Sequence, residues 1–214
     1  VINHTSSGAD PKVVSVSGTA AFTPPWTAYN DMSGESDPPY TTEYGLDQPS
    51  GGELLDFDTG VPTGVTVRMV INGSLYNLTS AGQMPNAGTD AYNTFNGKAD
   101  MSGVIMSDVQ NPTDYTADLV FEGLDPNKTY TFATSVNRAG GTTGGDPAYT
   151  NRYTRYTIMN MAAATNASTE GVGVYDANGH SVYFCTGENT QNGYVARWVN
   201  IKPNAQGSFT VRAQ

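Results

Sequence analysis

Between residues 149 and 156 the chain reads Tyr149-Thr150-Asn151-Arg152-Tyr153-Thr154-Arg155-Tyr156, a run of rings and guanidinium groups without a carboxylate. A tyrosine ring can stack on the apolar face of a sugar, while Arg and Asn donate hydrogen bonds to its hydroxyls. The run follows Asn137-Arg138 and the stretch 139–151, and long connections on a rigid scaffold are where binding groups gather. Trp26 and Tyr29, in PPWTAYND, come after a Pro-Pro break and supply two further rings. Trp26, Tyr29, Arg138, Tyr149, Arg152 and Tyr153 are therefore the candidate carbohydrate-binding residues, expected to meet a neutral ligand. Tyr130, Tyr156 and Trp198 have a competing reading as core residues, with the arginines paired to surface carboxylates.

A second chemistry belongs to the acids. Asp31, Glu35, Asp37, Glu43, Asp47, Glu53, Asp56 and Asp58 follow one another with no basic residue among them. Hard carboxylate oxygens on irregular loops suit calcium, which accepts six to eight oxygen ligands in variable geometry. The spacing is not that of an EF-hand, and solvated loop acids give the same pattern. Asp31, Asp56 and Asp58 are the candidate ligands, the last two expected on one face of a strand. Paired carboxylates of a glycosidase can be drawn from the same acids, as from any acidic chain of this length.

Other chemistries lack their residues. The two histidines, His4 and His180, and the single Cys185 give no zinc or copper spacing and no ready nucleophile–base pair. There is no Gly-x-Ser-x-Gly elbow and no phosphate-binding glycine loop. Cys185, inside the apolar run VYFC, reads as a buried small hydrophobe.

The elements that must position these groups are strands. Period-two alternation returns at Val14–Val16, Leu55–Phe57, Val65–Met69, Tyr130–Val136, Tyr156–Ile158, Val172–Val174, Val182–Phe184, Tyr194–Val199 and Phe209–Val211. Turn residues bound the segments, and Asp176-Ala177-Asn178-Gly179 between two apolar runs predicts a hairpin. Ten to thirteen short strands with little helix predict an antiparallel β-sandwich or jelly roll. Only 100–109 has room for a helical turn or two. Residues 1–12 read as a polar tail or linker remnant, and 13–214 as one domain.

Composition agrees. Charged residues make up 14% of 214, against roughly 25% in an average domain, while glycine (24), proline (12) and tyrosine (13) are abundant. This excludes a helical bundle or coiled coil and fits a loop-rich extracellular or cell-surface domain. A net charge of −10 disfavours nucleic acid as a partner. No apolar run is long enough for a membrane-spanning helix, so membrane insertion is not expected. VINHTSSGADPK has neither the basic start nor the apolar centre of a signal peptide.

In order along the chain, PPWTAYND (24–31), ELLDFDTGVPTGVTVRM (53–69), GLDPNKTYTF (123–132), NR (137–138), NRYTRYTI (151–158) and NIKPNAQGSFTVR (200–212) resemble an uncharacterised group of secreted bacterial β-sandwich modules from marine and polysaccharide-degrading lineages. That group is similar to galactose-binding-type jelly rolls appended to hydrolases, esterases or adhesins. The resemblance spans about residues 13–214. It implies carbohydrate binding, a structural calcium ion and neighbouring domains in a multidomain secreted protein, and it carries no catalytic residues. The stretch 139–151 and the acidic insertion 32–52 depart from the group and would reshape the sandwich rim.

Three functions therefore stand open: a non-catalytic carbohydrate-binding module targeting an attached enzyme or surface protein to polysaccharide, a polysaccharide lyase or glycoside hydrolase, and a structural or adhesive surface module.

Overall fold

Apolar side chains at every second position force each strand to bury one face, and the chain meets that demand with two packed antiparallel sheets. The structure, a computed structural model, describes residues 26–32, 37–45, 48–73, 77–80, 82–102, 104–107, 116–138, 152–187 and 189–214. In chain order the strands are β1 (Asn30–Asp31), β2 (Thr42–Glu43), β3 (Gly51–Leu55), β4 (Pro62–Asn72), β5 (Asn77–Ser80), β6 (Val104–Ser107) and β7 (Thr116–Glu122). They continue with β8 (Tyr130–Thr134), β9 (Tyr153–Met159), β10 (Met161–Asn166), β11 (Gly173–Val174), β12 (Ser181–Cys185), β13 (Ala196–Pro203) and β14 (Phe209–Ala213). The helices are α1 (Asp90–Phe95) and α2 (Asn189–Asn192).

The larger sheet has seven strands in the order β11-β12-β9-β14-β7-β4-β3, and the smaller has three, β10-β13-β8. The antiparallel β-sandwich expected from the alternation is thus the fold. Tyr156 and Ile158 of β9, Val182 and Phe184 of β12, and Phe209 and Val211 of β14 face Ala196, Trp198 and Ile201 of β13 in one buried cluster. Phe121, Phe132 and Phe209 continue it as a chain of ring contacts between the sheets. A second cluster, Val67, Met69 and Leu119, lies under the β4–β7 pair.

Two asparagines with positive φ shape the layers. Asn160 (φ 58°) is the single residue between β9 and β10, where the chain leaves the large sheet for the small one. Asn200 (φ 52°) sits in the register shift between Trp198 and Ile201, so that two residues three apart both point inward. Asn tolerates this left-handed backbone better than a bulky or β-branched side chain.

The hairpin β11–β12 turns at the expected place: Asp176 Oδ1 accepts from the His180 and Ser181 N–H groups, and Gly179 supplies the positive φ. The turn expected over 100–109 is instead strand β6, paired with β5. Helix falls earlier, at α1, where Thr89 Oγ1 caps the Tyr92 N–H and the Val-Ile pair that favours strand is absent. The expected strand at Val14–Val16 and the tail 1–12 lie outside the described residues.

Helix α1 is held to the small sheet by charge. Arg197 is buried, and its Nη2 and Nη1 donate to Asp90 Oδ1 at 2.7 Å and Oδ2 at 3.1 Å. Thr169 Oγ1 donates to the same carboxylate at 2.6 Å. Removing one partner strands the other away from water, so Asp90→Ala is expected to lower the unfolding free energy by about 3–5 kcal/mol. In urea titrations the pair Asp90→Leu/Arg197→Met should cost clearly less than the sum of the single changes; simple additivity would show that the ion pair does not hold the helix.

Candidate functional site

Between the inward faces of β4, β7 and β14 and strand β8 lies a cavity of about 1130 Å³, bordered at one side by 26–32 and 94–101. Trp26, Tyr29, Asp31, Arg138, Arg152 and Tyr153 all stand on its wall, so the structure gathers most of the residues singled out from the sequence around one space. At one end the segments of Arg138, Thr186 and Arg152 lie side by side: the Arg138 N–H donates to the Thr186 carbonyl at 3.0 Å, and the Thr186 N–H to that of Arg152 at 2.8 Å. Tyr29 is packed edge-on against Phe57, with ring centroids 4.9 Å apart. Burial, then the charge of Asp58, pushes its hydroxyl pKa up. Tyr149 lies outside the described residues.

The acids divide. Asp31 is buried beside Asp37. Burial and the Asp31 charge raise the Asp37 pKa to about 7, helped by Glu43 and opposed by the Asp100 N–H, which donates to Asp37 Oδ1 at 2.6 Å. Asp56 and Asp58 are not on a strand as expected. β3 ends at Leu55, and Asp56 Oδ1 accepts from the N–H and Oγ1 of Thr59, closing a turn completed by Gly60 at φ 71°. Those bonds hold the Asp56 pKa below its usual range. Asp58 is exposed in the same turn. Among the described residues no three His, Cys, Asp or Glu side chains are grouped to hold a metal.

Other rings of the large sheet are open, and Tyr153, which also borders the cavity, is one of them. Tyr153 is 60% exposed, Tyr175 65% and Tyr183 38%. The reason is parity: Tyr156, Ile158, Val182 and Phe184 point inward, so Tyr153, Arg155 and Tyr183 point out. Tyr183 lies opposite Arg155 across the β12–β9 pair, and the rings of Tyr153 and Tyr183 are 6.1 Å apart and inclined by 58°. Gly173, opposite Tyr183 on β11, makes room for that ring, since a Cβ there would collide with it. The Arg155 guanidinium sits 4.6 Å from the centre of the Tyr175 ring and donates to Gln214 Oε1. Beside these groups is a recess of about 210 Å³ bordered by Tyr153, Gly173, Tyr183, Cys185, Asn192 and Tyr194. It is below the roughly 300 Å³ of a pocket that swallows a whole ligand, and suits the end or one unit of a larger one.

Of the sequence candidates, Tyr153 is the one on this face. Arg152 precedes it on the inward parity, and the arginine among the rings is Arg155. Tyr175 and Tyr183 are not among those candidates. Tyr183 carried a signal, because an aromatic between Val182 and Phe184 occupies the outward position of a strand. The face can stack, donate hydrogen bonds and attract negative charge.

Compared with known proteins, the chain matches no family model, no curated protein and no solved structure.

The Asp31–Asp37 pair generates a prediction. The Asp37 pKa is raised above its ordinary 3.8, so the folded chain keeps a proton that the unfolded chain has released. Its stabilisation is complete below that ordinary value and is lost as pH rises through about 7. Melting temperatures taken at about pH 5 and about pH 8 should fall more for the native chain than for Asp37→Asn, which keeps the shape without the charge. Equal falls would show that the Asp37 pKa is not raised in the folded chain.

Proposed function

We propose that this chain is a non-catalytic polysaccharide-binding module, and that the glycan lies across Tyr153, Tyr175 and Tyr183 on the outer face of the large sheet. The observation that supports this best is the exposure of three tyrosines, at 60%, 65% and 38%, around one point of a regular sheet. Each open ring leaves apolar area in water that a partner can cover. A pyranose offers a matching flat C–H face, and tyrosine supplies contact area at low entropic cost because only two torsions are fixed. Tyr153 and Tyr183 are carried by paired strands, which lowers the ordering cost of binding further. The role is to hold an attached catalytic or surface domain near polysaccharide, a gain in effective concentration that needs no chemistry.

Calorimetry and affinity electrophoresis across neutral and acidic polysaccharides test this. Tyr153→Ala and Tyr183→Ala are each expected to weaken binding about 5- to 30-fold, or 1–2 kcal/mol, with the melting temperature little changed. The phenylalanine variants should retain most of the affinity, because stacking needs the ring and not the hydroxyl. Trp26→Ala, on the cavity wall, should leave glycan affinity unaltered. Absence of binding to every polymer, or alanine variants that bind like the parent, would remove the proposal.

A further inference from the structure

We infer that the tyrosine face selects sugar units bearing an anionic oxygen group, a carboxylate or a sulfate ester, and that Arg155 is the residue that reads it. The inference rests on the polysaccharide reading and narrows its ligand class.

Arg155 occupies the middle of the face. Tyr183 is opposite it on β12, and on its other side Arg155 and Gln214 exchange backbone hydrogen bonds of 2.8 and 2.9 Å. Its side chain is fixed by two uncharged partners, the Gln214 amide oxygen and the Tyr175 ring. An amide and a ring orient a guanidinium but leave its positive charge uncancelled. Two other arginines differ. Arg212, one row along on β14, is bound by Asp118 at 2.7 and 2.8 Å, and Arg197 is bound by Asp90. Among the described residues these are the two ion pairs, and neither involves Arg155. Asp176, next to Tyr175, turns its Oδ1 into the hairpin, where it accepts from His180 and Ser181.

A guanidinium has five N–H donors in a planar fork. Arg155 gives one side-chain hydrogen bond to a described residue, so the rest of the fork is available to solvent or ligand. A fork held in place beside open rings makes a two-point contact with a pyranose carrying an anionic substituent. The ring stacks on tyrosine and the oxygens pair with the fork, bidentately for a carboxylate. The local charge supports it: residues 129–214 hold six bases (Arg138, Arg152, Arg155, Arg197, Lys202, Arg212) and four acids (Asp146, Glu170, Asp176, Glu188), within a chain of net charge −10.

Polygalacturonate and its fully methyl-esterified form share a backbone and differ in charge; a sulfated galactan and its desulfated form make a second pair. With the full chain, calorimetry should give at least tenfold tighter binding to one acidic polymer than to its neutral partner. The pair showing the larger ratio distinguishes carboxylate from sulfate. Added NaCl should narrow the ratio, because the charge contact is exposed and screened. Arg155→Met should bring the ratio close to one, and Arg155→Lys, which keeps the charge without the fork, should fall between. Melting temperatures check that both variants fold; if Arg155→Met does not, the salt dependence and the ratios of the parent chain decide alone. Equal affinity for both members of each pair overturns this inference and leaves the polysaccharide reading standing. No binding to any of the four overturns the reading beneath it.

Discussion

The register of β9 against β12 and β14 is the constraint on which the rest depends. Tyr156, Ile158, Val182, Phe184 and Val211 are all nearly inaccessible to water and all meet the small sheet, where Trp198 is wholly buried. A strand alternates with a period of two, so a slip of one residue would bring Tyr153, Arg155 and Tyr183 into the core and turn the apolar set outward. Burying a guanidinium there without a carboxylate would cost far more than any local contact returns. Trp198 adds a directional lock: its indole N–H donates to the Gly179 carbonyl at 2.8 Å, tying the core to the β11–β12 turn that places Tyr175. The open rings are thus a consequence of how the closed ones pack.

Charge is handled by the same division into faces. Where an arginine is covered, as Arg197 is by α1, a carboxylate answers it with two hydrogen bonds. Arg212 is answered by Asp118 across the strand pair. Arg155 is held by neutral groups alone among the described residues, which is tolerable only because it stays at the surface. Elsewhere two acids, Asp31 and Asp37, lie together near Glu43, and burial with the Asp31 charge raises the Asp37 pKa. The lopsided charge of the sequence, acids early and bases late, therefore has a local structural meaning at each end.

Much of this architecture could be read from alternation, because burial on one face writes itself into every second residue. β4, β8, β9, β12, β13 and β14 all carry that mark. Other elements hide it. β10, Met161-Ala162-Ala163-Ala164-Thr165-Asn166, has the composition of a helix and pairs with β13 because Asn160 delivers it to the sheet edge; tertiary pairing outweighs propensity there. β7 does not show it, because Val120 points outward and blurs the contrast with Ala117, Leu119 and Phe121. Asp56 and Asp58 looked like strand neighbours, but an Asx turn through Thr59 takes the backbone out of the sheet one residue earlier. The rings were legible as a class and not as a set: Tyr153 stood out in its basic run, while Tyr175 and Tyr183 join it only through pairings between distant segments.

Adjacent residues in the run 152–156 end on opposite sides of one sheet, which separates two properties that composition alone would merge. Arg152 and Tyr156 line the cavity, and Arg155 belongs to the open face. The cavity side is bounded by the core that sets stability, whereas the open side faces water. β11 makes this possible at the sheet edge. It is only two residues long, and Gly173 leaves space for Tyr183 to lie over it. A short edge offers few unpaired backbone groups to another strand, so this border of the sheet is poor at recruiting a neighbouring strand and good at presenting rings. What such a surface presents is the side chains above the pleat, the three tyrosines and Arg155 among them.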